Sequence, residues 1–149
     1  MTDRKAATLG ELKKITKRLP SVREEMQMNL IRKLGNKERL FPDLIGFDDS
    51  VIPNIINAIL CGHNIIILGE RGQAKSRLIR NLIDFLDDEI PAVAGCSIND
   101  NPFEPVCVDC QQKLAEMGDD LPITYIPKDR RLVEKLATSD VSTADLIGE

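Results

Sequence analysis

Gly69-Glu70-Arg71-Gly72-Gln73-Ala74-Lys75-Ser76 is the stretch whose residue types and spacing could do chemistry. It follows the pattern G-x-x-x-x-G-K-[ST] at Gly69, Lys75 and Ser76, with Ala74 where the last glycine is usual. A loop of this kind curls so that its backbone N–H groups point inward and hold phosphate oxygens. The positive end of a following helix adds to the same spot. Lys75 reaches the β- and γ-phosphates as a point charge, and the Ser76 hydroxyl sits on Mg2+. Ala74 adds only one methyl group, which the start of a helix accommodates.

A second set of reactive groups is Cys107-Val108-Asp109-Cys110. A C-x-x-C pair can chelate zinc, form a redox disulfide, or do neither. A structural zinc site takes four ligands. Cys96, near the end of an expected strand, is a third thiolate; Cys61 is expected at the opposite end of a parallel sheet, and no clear fourth ligand stands out. Plain buried or solvated thiols are therefore favoured over zinc at Cys96, Cys107 and Cys110, and zinc over a redox role. His63, the single histidine, has no carboxylate or nucleophile near it in sequence and reads as a turn residue.

These groups need elements to position them. Ile65-Ile66-Ile67-Leu68 reads as a buried strand feeding the loop, and an amphipathic helix from Lys75 to about Leu86 follows it. Its expected buried face is Leu78, Ile79, Leu82, Ile83 and Leu86. Asp87-Asp88-Glu89 superficially resembles the acidic end of a catalytic strand, but the helical period runs through Leu82-Ile83 and Pro91 marks the break afterwards. Before the loop, a helix from about Ser50 to Leu60 carries Pro53 harmlessly in its first turn, and Ile52, Ile55, Ile56, Ile59 and Leu60 are its expected buried residues. After it come an expected strand from Ala92 to Ile98, a loop over 99–105, and a short helix from Gln111 to Met117. A strand from Leu121 to Ile126 follows, placed at an edge by Pro122, and then a helix or turn from Lys128 to Leu136.

The first forty residues hold 11 Lys/Arg against 5 Asp/Glu, and the remainder 9 against 19. Leu9, Leu12, Ile15 and Leu19 make one apolar stripe. Ser21 and Glu24 then form a capping box for a helix from about Val22 to Leu34, with Val22, Met26, Leu30 and Leu34 on one face. The basic excess is read as a solvated helix face rather than a surface for nucleic acid or an acidic partner. Aromatic residues are 3% and Trp is absent, which argues against stacking platforms for single strands. At 149 residues, with 42% apolar and 30% charged residues, the chain reads as one soluble globular domain. No apolar run is long enough to span a bilayer, and the charged N-terminus lacks a secretory pattern, so the expected location is cytoplasmic.

Ile45-Gly46-Phe47-Asp48, the loop, Asn101-Pro102-Phe103 and Ser142-Thr143-Ala144-Asp145-Leu146-Ile147-Gly148 occur in that order. In this the chain resembles the AAA+ ATPase of magnesium chelatase, subunit I, with the MoxR-type proteins as near relatives. The resemblance covers roughly residues 41–149. It implies an α/β P-loop NTPase with a parallel-sheet core, ATP and Mg2+ as ligands, a homo-oligomeric ring, and hydrolysis that remodels a protein partner. It places the segment around Ile45 and Gly46 against the adenine. Residues 1–40 are then a basic helical extension, and 41–149 the N-terminal part of an AAA+ domain cut before the acidic strand that positions Mg2+ and water. With that strand, the sensors, the arginine finger and the lid missing, turnover by this stretch alone is not expected. The alternatives are a nucleotide-gated binding module that does not hydrolyse and, third, a small kinase. Nothing in these residues reads a porphyrin.

Overall fold

The computed structural model describes residues 5–135 and 140–147. Helix α1 (Leu9–Ile15) is followed by α2 (Val22–Gly35), α3 (Val51–Leu60), α4 (Lys75–Asn81), strand β1 (Glu89–Val93), α5 (Val108–Met117), strand β2 (Ile123–Pro127) and α6 (Thr143–Ile147). Short 3-10 turns lie at Leu82–Phe85, Gly118–Asp120 and Lys128–Arg130. None of these helices is long and apolar enough to cross a membrane.

Local chemistry accounts for most helix starts. At α2 the Ser21 hydroxyl accepts the Glu24 N–H while the Glu24 carboxylate accepts the Ser21 N–H, the reciprocal box expected from the sequence. At α6 Ser142 and Asp145 make the same exchange. Helix α5 begins three residues before the expected Gln111, because the Cys107 thiol caps it by accepting the Cys110 N–H at 3.3 Å. Helix α4 gives way to a 3-10 turn at Leu82. With three residues per turn, that turn brings Phe85 onto the face of Leu82. Phe85, absent from the expected apolar face, is consequently buried, edge-on to Phe41 with ring centroids 5.4 Å apart.

Two principal apolar clusters result, and a third small one of Ala6, Leu12 and Ile123 shares Phe103 with the smaller of them. The larger joins Leu30 of α2, Phe41, Leu44, the α3 isoleucines Ile52, Ile55 and Ile59, Leu78 of α4, and Phe85. The smaller joins Leu9 of α1, Val93 of β1, Cys110 of α5, and Leu121. The basic helical stretch before residue 41 is thus packed into both clusters, α1 in the smaller and α2 in the larger.

The sheet differs from expectation. Among the described residues the only ladder is antiparallel, β1 with β2, in the register Glu89↔Pro127 through Val93↔Ile123. A parallel core is not formed by them. The segment 65–68 is extended and alternates as a strand should. Ile65 and Ile67 pack against the larger cluster, whereas Ile66 and Leu68 are 85% and 89% exposed. Among the described residues no strand is hydrogen-bonded alongside it. The strand expected over 92–98 starts earlier and stops at Val93, where Gly95 turns the chain at φ +73. Pro122 carries an isolated bridge to Thr8 rather than lying at a bare edge.

A buried polar knot connects the clusters. Glu25, on α2, is 1% exposed. Its carboxylate accepts two bonds from the Arg131 guanidinium, at 2.7 and 2.5 Å, and the Asp87 N–H at 2.7 Å. One turn along, the Asn29 amide donates to the Phe85 carbonyl and the Asp87 carboxylate, at 3.0 and 2.9 Å. The inward face of α2 is therefore Glu25, Asn29 and Leu30, with Met26 partly covered. Of the expected apolar face, Leu30 and Met26 turn inward while Val22 and Leu34 at its two ends stay exposed.

Two predictions follow from this helix. Removing one partner strands the other charge in the interior, which costs about 3–5 kcal/mol. Glu25→Ala is expected to lower the urea unfolding free energy by that amount; a loss under about 1 kcal/mol, the scale of a surface pair, would show that the knot is not a buried one. Glu24 behaves differently because it is exposed. The Arg18 guanidinium first, and then the Ser21 N–H and hydroxyl, hold its carboxyl near 2, against an ordinary 4.5. A depressed carboxyl stabilises the fold above its unfolded value and loses that contribution as pH falls toward 2. NMR titration of the Glu24 side chain should therefore show a midpoint near 2 that rises toward 4.5 in Arg18→Ala.

Candidate functional site

The loop 69–76 leaves the extended segment and turns by two left-handed residues. Gly72 has φ +84, a conformation glycine adopts without penalty. Ala74 has φ 52 and ψ 18, the conformation the usual glycine would supply. Its methyl group packs against the larger apolar cluster. The alanine therefore offsets part of its backbone strain by burial.

The loop closes on itself. The Lys75 ammonium donates to the Gly69 carbonyl at 2.7 Å and also to the Glu70 carbonyl. The Glu70 N–H donates to the Gln73 side-chain oxygen at 3.0 Å, closing the turn. A Cβ at position 69 would lie 2.3 Å from the same oxygen, so Gly69 leaves room for the acceptor. Ser76 is exposed at the start of α4.

Outside the loop lies an open depression of about 590 Å³, lined by the loop from Arg71 onward together with Arg77 and Arg80. Four cations, Arg71, Lys75, Arg77 and Arg80, border it, and no carboxylate is among its lining residues. Arg80 is engaged from outside by Glu134 in a two-bond pair, at 3.0 and 3.1 Å. The electrostatics favour an anion over any other ligand class.

Ile45 and Gly46 are not among the residues that line this depression. Their neighbours Leu44 and Phe47 pack in the cluster that also takes Ile67 and Ala74, while Ile45 itself is 84% exposed and Gly46 turns the chain at φ +83. His63 lines an apolar groove beside 64–68 with Asn54, Ile55 and Ala58.

The cysteines form a second site. Cys96, Cys107 and Cys110 converge as the sequence suggested, while Cys61 is exposed at the end of α3. Asp100 joins them, and one ligand atom from each of the four residues lies within 4.8 Å of the others. The sequence reading passed over Asp100 as part of a loop. Its only local signal was an Asn-Asp-Asn turn, which does not reveal burial. The carboxylate accepts the N–H groups of Val106 and Cys107 at 2.9 Å and of Asn101 at 3.2 Å. Burial pushes the Asp100 carboxyl up, but these bonds outweigh it and hold the group below its ordinary value. Burial pushes the Cys110 thiol up to about 12, aided by Cys107 and Cys96. The Asp100 N–H acts first on Cys96 and lowers it.

Ala74 offers a direct test of the loop. A left-handed residue other than glycine costs about 1–2 kcal/mol. Ala74→Gly removes that strain but also a packed methyl worth about 0.8 kcal/mol, and it frees the unfolded chain. The two sides nearly cancel, so its unfolding free energy is expected within about 1 kcal/mol of the parent. Ala74→Val puts a branched side chain in the same conformation and should lose about 2 kcal/mol or more in urea denaturation.

No family model matches the chain, and no solved structure matches it. Curated relatives do. Magnesium-chelatase subunit ChlI-2 of Arabidopsis thaliana is 29% identical over 101 residues, 62% of this chain and 23% of that protein. The chloroplastic subunit ChlI of Oryza sativa is 31% identical over 99 residues, 60% of this chain and 23% of that protein. A magnesium-chelatase subunit ChlI homolog of Methanocaldococcus jannaschii is 41% identical over 64 residues, 43% of this chain and 17% of that protein. The chain thus matches less than a quarter of the length of these relatives. The resemblance carried by the loop and its flanking motifs is borne out: over the matched stretch, this chain is similar to the AAA+ subunit I of magnesium chelatase.

Proposed function

We propose that residues 69–76 bind the phosphates of ATP and that the chain contributes the nucleotide-binding part of an AAA+ ATPase of the magnesium chelatase subunit I group. One observation carries this reading: the turn that places Lys75 and Ser76 at the start of α4 borders a depression ringed by four cations and lined by no carboxylate. A triphosphate supplies the anionic oxygens and the high-energy bond. The Glu70 N–H and its neighbours take over the oxygen that Gln73 now provides. Lys75 exchanges its loop carbonyls for phosphate oxygens, and the Ser76 hydroxyl is the group that holds Mg2+. Gly69 and Gly72 let the backbone approach closely; Arg71 and Arg77 add positive field. Ile45 and Gly46 are the proposed adenine-side contacts.

Hydrolysis needs a carboxylate to orient water. None lines this depression, so these residues bind and orient, and turnover requires a group from elsewhere. The same observation favours the second reading, a module that senses ATP without hydrolysing it. Ring assembly and remodelling of a protein partner are supported by the resemblance to chelatase subunits.

The expected outcome of Lys75→Ala is a loss of nucleotide affinity of at least tenfold in a titration with fluorescent ATP, because a charge-assisted contact is worth about 1.5–3 kcal/mol. The variant should keep its circular dichroism spectrum, since the lysine bonds only to loop carbonyls. Unchanged affinity would remove the phosphate-loop assignment.

A further inference from the structure

We infer that Cys96, Cys107, Cys110 and Asp100 hold a zinc ion that staples the turn after β1 to the start of α5. The inference is independent of the nucleotide loop. In a tetrahedral zinc site the Zn–S distance is about 2.3 Å, which sets the sulfur–sulfur edge at about 3.8 Å. The Cys96 and Cys107 sulfurs are 3.9 Å apart. All four ligand atoms lie within 4.8 Å of one another, so one ion can reach them with small adjustments. Three converging thiols also exceed what a disulfide uses, and soft sulfur donors exclude calcium and magnesium.

The surroundings are arranged as those of a metal site are. Cys107 and Cys110 stand one turn apart at the N-terminus of the ten-residue helix α5, so both sulfurs lie on one side of its first turn. The Cys107 sulfur accepts the Cys110 N–H at 3.3 Å. Asp100 is 5% exposed, and its oxygens are held by the N–H groups of Val106 and Cys107. A ligating carboxylate is commonly fixed by such outer bonds. One Asp100 oxygen completes three sulfurs to four ligands, with the same total charge as a four-cysteine site.

The test uses the whole chain, purified without chelator and dialysed against one equivalent of zinc. Elemental analysis should find about one zinc per chain, retained in Cys61→Ser and lost in Cys107→Ser. Alkylation in the native state should then modify Cys61 quickly and the other three thiols only after a chelator is added. Should Cys107→Ser fail to fold, cobalt substitution of the parent gives the same answer. Sulfur-to-cobalt charge transfer with tetrahedral visible bands is the expected spectrum, and Asp100→Asn should shift the visible bands. Less than about a tenth of an equivalent of zinc, with all three thiols alkylated at rates that chelator does not change, would overturn the site. An Asp100→Asn cobalt spectrum identical to the parent's would overturn Asp100 as the fourth ligand.

Discussion

The buried pair between Glu25 and Arg131 is the constraint on which the arrangement of this chain depends. It joins residues more than a hundred positions apart and connects the helical cluster to the β1–β2 ladder. Burying two charges is favourable only when the geometry is good and the remaining lone pairs are used. Both conditions hold: the contact is two-pronged, and the Asp87 N–H takes a further position on the carboxylate. The consequence is orientation rather than strength. Helix α2 must turn Glu25 and Asn29 inward, which carries Leu30 into the core and leaves Val22 and Leu34 outside.

With α2 so placed, α3 and α4 complete the larger cluster, and that cluster supports the loop from below through Ile65, Ile67 and Ala74. The support is one-sided. Ile66 and Leu68 face away from the cluster with no ladder beside them. The loop 69–76 is therefore built on a segment whose inner face is packed and whose outer face is open. Its polar groups are satisfied internally, by Lys75 on the loop carbonyls and by Gln73 on an N–H. Such contacts between exposed groups are weak enough to be exchanged for a ligand's.

The cysteine site stands on the other cluster, and its assembly follows a different logic. Cys107 and Cys110 are brought together by helix geometry alone. Cys96 and Asp100 arrive by way of the Gly95 turn and a loop whose closure is recorded in the bonds from Val106 and Cys107 to one carboxylate. The nucleotide loop and the cysteine cluster thus share no residue and belong to separate clusters.

What could be read from the residues alone was whatever rests on neighbours a few positions apart. The Ser21–Glu24 box, the Pro53 helix and the helix start at Lys75 all depend on short-range spacing, and all appear where that spacing put them; the buried strand expected over 65–68 does not, since Ile66 and Leu68 are exposed. The pairing of Cys107 with Cys110 was legible for the same reason, since one turn separates them, whereas the approach of Cys96 from eleven residues away depends on how the loop closes. The inward turn of Glu25 was not legible, because its partner lies across the chain and a glutamate in a basic helix looks solvated. Asp100 was hidden likewise: its burial comes from the backbone folding over it. The choice of partner for each strand also belonged to the tertiary structure. A strand's alternation says which face is inward and nothing about its neighbour, so only packing could decide that β1 pairs with β2 and that 65–68 pairs with neither.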